Sequence, residues 1–169
     1  MKKTILILSA LLFIGILYLA IEGRNMQEIK TEIEISAPPS KVWGIIKDIE
    51  KWQEWSPTIN ASQGIASIGS KLSITMMSEE KGKDGPKYTP IILKLEEPKY
   101  FHWRAHMMAE FIFTNDKIFL LEEISTGTKV THIETFKGLI TPMFRGKIEK
   151  GVPPMLNLMN EALKDLAEK

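Results

Sequence analysis

From about Asn60 to Lys137 the chain repeats with a period of two, and it then gives way to one long helical segment. Leu72, Ile74 and Met76 alternate with Ser73 and Thr75, and Ile91, Leu93 and Leu95 alternate with Ile92, Lys94 and Glu96. Phe101, Trp103 and Ala105 alternate with His102, Arg104 and His106. Phe111 to Glu123 reads as a further strand or strand pair, broken near Asn115-Asp116, and Lys129 to Lys137 as the last strand. Alternation of this kind marks half-buried strands, and the tight turns between them make neighbours antiparallel. The turns are Lys81-Gly82-Lys83-Asp84-Gly85-Pro86, Glu97-Pro98-Lys99 and Ser125-Thr126-Gly127-Thr128. An earlier strand, Glu28 to Ser36, puts Ile29, Ile33 and Ile35 on one face and Lys30, Glu32 and Glu34 on the other.

Between that first strand and the meander lie two short helical segments. Ala37-Pro38-Pro39 stops the strand, and Ser40 or a neighbour is suited to cap a helix over Lys41–Ile49. Val42, Trp43, Ile46 and Ile49 recur there at helical spacing; Trp52, Trp55 and Pro57 follow in a second short segment. Pro142 to Lys169 is helical, with Gly151, Pro153 and Pro154 expected to break or kink it. Met155, Met159, Leu163 and Leu166, with Ala162, form its apolar stripe. The fold class is therefore α+β: about seven antiparallel strands curved around one long C-terminal helix. One helix cannot follow the whole concave face of a strongly curved sheet, so a cavity is expected between them.

Thr4 to Ile21 is a different material, eighteen residues without a charge. As a helix it spans about 27 Å, close to the hydrocarbon thickness of a bilayer. Residues 1–21 are read as a transmembrane anchor, 22–27 as a linker and 28–169 as the folded domain. A cleaved secretory signal is the competing reading. It is weakened because Ala20 would be paired with Tyr18, and Gly23 with Ile21, where a peptidase site wants small residues. Lys2, Lys3 and the terminal amine place the N-terminus in the cytoplasm and the domain outside. Cleavage would instead give a secreted domain.

Composition removes several function classes. With no cysteine the chain has no disulfide scaffold, Cys-ligated zinc or iron–sulfur site, catalytic thiol or lipid attachment through an N-terminal cysteine. A net charge of +1 gives no electrostatic footprint for nucleic acid. His102 and His106, four apart on a strand, sit about 13 Å from each other and form no metal clamp. Gly82-Lys83-Asp84-Gly85 is a turn and not a phosphate loop. No cofactor and no metal are expected, and the chain is expected to be monomeric.

Four segments together resemble the START-related superfamily, also called SRPBCC, and most of all its polyketide cyclase/dehydrase and lipid-transport branch. They are IEISAPPSKVWGIIKDIEKWQEWSP, EEPKYFHWR, LLEEISTGTKVTHIETFKGLITP and LNLMNEALKDLAE, spanning most of Ile33 to Glu168. The resemblance implies a helix-grip fold around a hydrophobic pocket and an apolar or amphipathic small molecule as partner. It implies no single reaction, because the superfamily mixes carriers, cyclases and co-chaperone-like domains. Relatives of this type often carry a His two residues before the Phe of the penultimate strand; here Lys117 stands before Phe119.

On the last strand Val130, His132, Glu134 and Phe136 share a face, and the resemblance turns that face toward the cavity. Lys117, Phe119 and Leu121 would face inward from the strand before it. A Lys117/His132/Glu134 group in an apolar cup is suited to hold a ligand carboxylate or hydroxyl. His132 and Glu134 are also the candidates for acid/base catalysis, since burial moves pKa values toward neutrality. A polar network that only satisfies itself is the competing account. Phe101 and Trp103 are candidates for cavity wall, and Met143, Met155 and Met159, with Met76 and Met77, for an adaptable apolar lining. Three functions remain open: carriage of an apolar or amphipathic molecule on a tethered domain, cyclase/dehydratase-type chemistry, and a co-chaperone-like interaction module.

Overall fold

The computed structural model describes residues 2–78, 80 and 83–169. In chain order the elements are α1 (Lys2–Glu22), β1 (Gln27–Ile35), α2 (Pro39–Lys47), a 3-10 turn (Ile49–Lys51) and α3 (Trp52–Trp55). They continue with β2 (Ile59–Gln63), β3 (Ser73–Met77), β4 (Asp84–Tyr88), β5 (Ile91–Glu96), β6 (Tyr100–Met107), β7 (Phe113–Ile124), β8 (Gly127–Lys137) and α4 (Thr141–Ala167). All strand pairs are antiparallel. One sheet has the order β1-β8-β7-β6-β5 and a smaller one the order β2-β3-β4. They meet at a bridge between Lys71 and Ile91, where Leu72 N–H donates to the Pro90 carbonyl and Ile92 N–H to the Ser70 carbonyl. The result is the expected α+β helix-grip arrangement, with eight strands in two joined sheets where about seven in one sheet were expected.

Local chemistry explains where the sequence reading departs from the molecule. Asp84, Gly85 and Pro86 belong to β4, not to a loop; Lys81 and Gly82 of that expected loop lie outside the described residues. Proline is tolerated there because β4 is an edge strand with no neighbour for the missing N–H. β5 carries a bulge between Ile92 and Lys94, so Ile92 is fully buried while Leu93 turns outward. β7 runs unbroken through Asn115-Asp116. Asp116 is held there by Arg104 on β6, whose Nε and Nη2 donate to its two carboxylate oxygens at 2.7 and 2.9 Å. Burial pushes the Asp116 carboxyl up, but the Arg104 bonds and the nearby His102 ring bring it down to about 2.

α2 starts at Pro39 with Pro38 as its cap residue and no side-chain cap; Ser40 lies inside the helix. α4 continues through Gly151, Pro153 and Pro154. Each proline lacks the N–H that would reach four residues back, to Glu149 and Lys150, and both of those are exposed, where a released carbonyl costs little. The buried face of α4 is Ile148, Val152, Leu156, Met159, Leu163 and Ala167, with Met155 and Leu166 only half-buried. The stripe is thus rotated from the one expected.

The grip is tight at one end. Trp52, fully buried, is pushed into the trough, with Phe101, Trp103 and Phe119 at ring distances of 6.0, 5.1 and 6.1 Å. Its indole N–H donates to the Ile46 carbonyl at 2.9 Å, and Leu163 and Ala167 close the same cluster from α4. Trp43, Trp52 and Trp55 therefore fasten the short helices to the sheet. Toward the other end a second cluster joins Phe136 to Ile148, Val152 and Leu156. α1 is long and apolar enough to cross a membrane, and none of its residues is buried against the domain.

Candidate functional site

β7 and β8 are paired so that Lys117 faces Glu134, Phe119 faces His132 and Leu121 faces Val130. The period of two therefore places all six side chains on the concave side, where each is buried. Lys117 Nζ lies 2.6 Å from Glu134 Oε1 and 2.8 Å from His132 Nε2. An ammonium only donates, so Nε2 of His132 accepts and the ring proton sits on Nδ1. Nδ1 in turn donates to Asn160 Oδ1 at 2.9 Å, and Asn160 Nδ2 donates to Thr31 Oγ1 at 2.9 Å. Asn115 Nδ2 donates to Glu134 Oε2 at 3.2 Å. A continuous chain of polar groups thus runs from β7 through β8 to α4 and β1.

His132 is fully buried and stacks on Phe119 at 4.1 Å. Burial, and then the charge of Lys117, hold its pKa well below the ordinary histidine value, against the opposing effect of the Asn160 bond. It is a neutral imidazole inside the wall.

A cavity of about 580 Å³ opens between β3, β4, the concave faces of β6–β8 and the middle of α4. That size lies within the usual range for small-molecule sites. Trp103, Lys117, Glu134, Phe136, Met155 and Met159 line it, as do Met76 and Met77. Phe101, Phe119, Leu121, Val130 and His132 do not; they lie in the wall or in the packed end. The expectation that the whole β8 stripe faces the cavity is corrected accordingly: only Glu134 and Phe136 do. The cause is Trp52, which fills the trough in front of Phe101 and Phe119.

A second lobe of about 350 Å³ shares Tyr88, Ala105, Phe113, Asn115, Gly151, Val152 and Met155 with the first, and it continues past Met107, Phe144 and Lys147. Three polar residues of this region escaped the sequence reading. Asn115 has the same parity as Lys117, but its pairing with Asp116 reads as a turn. Asn160 sits beside Met159 on α4. Tyr88 lies on a strand that had been read in part as loop. Burial, and then the Glu134 charge, raise the Tyr88 pKa, so its hydroxyl keeps its proton. Among the described residues no group of three or more His, Asp or Glu side chains is arranged to hold a metal.

The family model described as polyketide cyclase / dehydrase and lipid transport matches residues 26–168, the part of the chain that forms the bent sheet and the terminal helix. The chain belongs to that family. No curated protein matches it. Among solved structures, a Staphylococcus aureus protein of unknown function is 15% identical, covering 85% of this chain and 94% of that one, with a TM-score of 0.67. The di-domain ARO/CYC protein StfQ of the steffimycin biosynthetic pathway is 9% identical with a TM-score of 0.68, covering 85% of this chain and 51% of that one. Norcoclaurine synthase from Thalictrum flavum is 12% identical with a TM-score of 0.64, covering 85% of this chain and 94% of that one. At such identities the likeness concerns the fold. Membership in the family fits a domain that binds hydrophobic small molecules.

Proposed function

We propose that the domain binds an amphipathic small molecule, with its apolar part in the cavity and its polar group at Lys117, Glu134, Asn115 and Tyr88, and that α1 tethers it to a membrane. The observation that carries this reading is the composition of one wall. A buried Lys117–Glu134 pair is set into a hollow otherwise lined mainly by apolar residues, Trp103, Phe136, Met155 and Met159 among them. Two of the three Lys117 ammonium protons go to His132 and Glu134, and the third is available to a cargo oxygen. Burying about 300 Å² of cargo at about 25 cal/mol per Å² contributes about 7 kcal/mol before the cost of association. That alone gives modest affinity, so the polar group supplies selectivity and orientation. Tethering suits a cargo that partitions into the bilayer beside its carrier, and transfer between the two follows from it.

Cyclase/dehydratase-type chemistry has less to stand on. His132 is sealed in the wall by Phe119, Lys117 and Asn160, and Glu134 is already engaged by Lys117 and Asn115. The deciding experiment is native mass spectrometry of the full chain ejected from lipid nanodiscs. A bound small molecule that exchanges with added lipid extract is expected, at lower occupancy in Lys117→Met. A bare chain that takes up nothing from the extract overturns the reading.

A further inference from the structure

The end of the domain from which α1 leaves carries apolar side chains that stand largely exposed. Met108 is 84% exposed, Phe111 72% and Met143 67%. Met107, beside them, is exposed as well. They come from two segments, the β6–β7 loop and the β8–α4 junction. Backbone bonds tie these segments together: Leu139 N–H donates to the Phe111 carbonyl at 2.9 Å and Ile140 N–H to the Ile112 carbonyl at 3.2 Å. Met108 has a φ of 61°, a left-handed conformation that a methionine rarely takes. That backbone holds a large apolar side chain out at the tip of the loop.

The same two segments grip the base of α1. Gly138 N–H donates to the Gly23 carbonyl at 2.9 Å, and Arg145 pairs with Glu22 at 3.2 Å. Gly23 and Gly138 touch backbone to backbone, and a Cβ on Gly23 would collide with the Gly138 carbonyl. Ala20, Gly23 and Arg24 share one groove with Glu110, Phe111, Lys137 and Leu139. Between α1 and β1 lie only Gly23 to Met26, which fully extended reach about 14 Å. If α1 spans a bilayer, this end of the domain is held at the bilayer surface.

We propose that the β6–β7 loop and the β8–α4 junction form a membrane-contacting surface, with Met108, Phe111 and Met143 entering the interfacial region of a phospholipid bilayer. The proposal rests on the tethered reading given above. Arg24, Lys137 and Glu110 line the groove with Phe111, Lys147 lines the second lobe with Met107, and Arg145 is paired with Glu22, a mixture with a positive excess that suits anionic headgroups. The second lobe of the cavity, lined by Met107, Phe144 and Lys147, opens beside the same loops. Cargo leaving the bilayer therefore meets the hollow without crossing bulk water.

The chain has no cysteine, so single cysteines can be placed in the full-length protein and labelled with the environment-sensitive fluorophore NBD. The labelled variants Met108→Cys, Phe111→Cys and Met143→Cys are reconstituted in phosphatidylcholine/phosphatidylglycerol vesicles carrying nitroxide-labelled lipid. Leu12→Cys reports on α1, and Glu161→Cys reports on a distant exposed site. The three loop labels are expected to show blue-shifted emission and quenching by the lipid nitroxide, with Glu161→Cys showing neither. Loop labels as solvent-exposed as Glu161→Cys overturn the proposal, and quenching at Leu12→Cys in the same samples would leave the tether standing. Quenched loops with an unquenched Leu12→Cys would support the surface and remove the tether.

Discussion

Lys117 decides two properties of the molecule at once. Its charge neutralises Glu134 in a place where an unpaired carboxylate is costly, and its N–H fixes the tautomer of His132. Lys117→Met leaves Glu134 buried without its counter-ion, held only by Asn115, and is expected to destabilise the fold by about 3–5 kcal/mol. The double variant Lys117→Met/Glu134→Gln should recover much of that loss; urea denaturation of both measures it. The pH dependence follows from His132. Unfolded, it takes up a proton below its usual 6.5; folded, its depressed pKa keeps it neutral. The unfolded state therefore binds more protons below about pH 6.5, so stability is full above that value and falls as the pH drops through it. The contribution approaches about 1.4 kcal/mol per pH unit for one proton. His132→Gln should remove that one-proton slope from the unfolding free energy measured between pH 7 and pH 5.

At the scale of elements, α4 shows what alternation and spacing reveal and what they hide. Gly151 lies in the exposed part of the helix with open space around a prospective Cβ. Gly151→Ala should therefore stabilise the fold by about 1 kcal/mol, a rise in Tm of about 2–4 °C by calorimetry. The helix itself was legible because hydrophobic residues recur along it, but its rotation was not. Met155 and Leu166 are as apolar as Val152 and Leu156, and only the curvature of the sheet decides which of them meets it. Strands with regular alternation, β1, β6 and β8, were read with the right face inward. β5 was misread in its face because of its bulge, and β7 was read with the right face inward but wrongly as broken, because Asp116 is held by a partner distant in sequence, Arg104. Lys117, His132 and Glu134 were legible as a group from parity alone. That His132 sits behind the cavity wall was not, since it depends on Trp52 arriving from another segment.

The whole molecule is a trough filled at one end and hollow at the other. At the filled end Trp52, Phe101, Phe119, Leu163 and Ala167 belong to the larger of the two core clusters, where most of the apolar burial lies. At the hollow end α4 passes over β6–β8 at Gly151, Val152 and Met155, and the space beneath belongs to cargo. Substitutions at the two ends should therefore separate stability from uptake. Leu163→Ala empties a fully buried site and is expected to cost about 2–5 kcal/mol while cargo uptake per folded molecule stays unchanged. Met155→Trp places a larger ring into open space that both lobes share, so the core is not strained. It should leave Tm nearly unchanged and weaken uptake of a lipid-extract ligand at least about tenfold, or about 1.4 kcal/mol. Calorimetry and native mass spectrometry on the same two variants check the pair. If both variants lowered stability and uptake together, the hollow would be part of the core, and the division of labour between the two ends would fail.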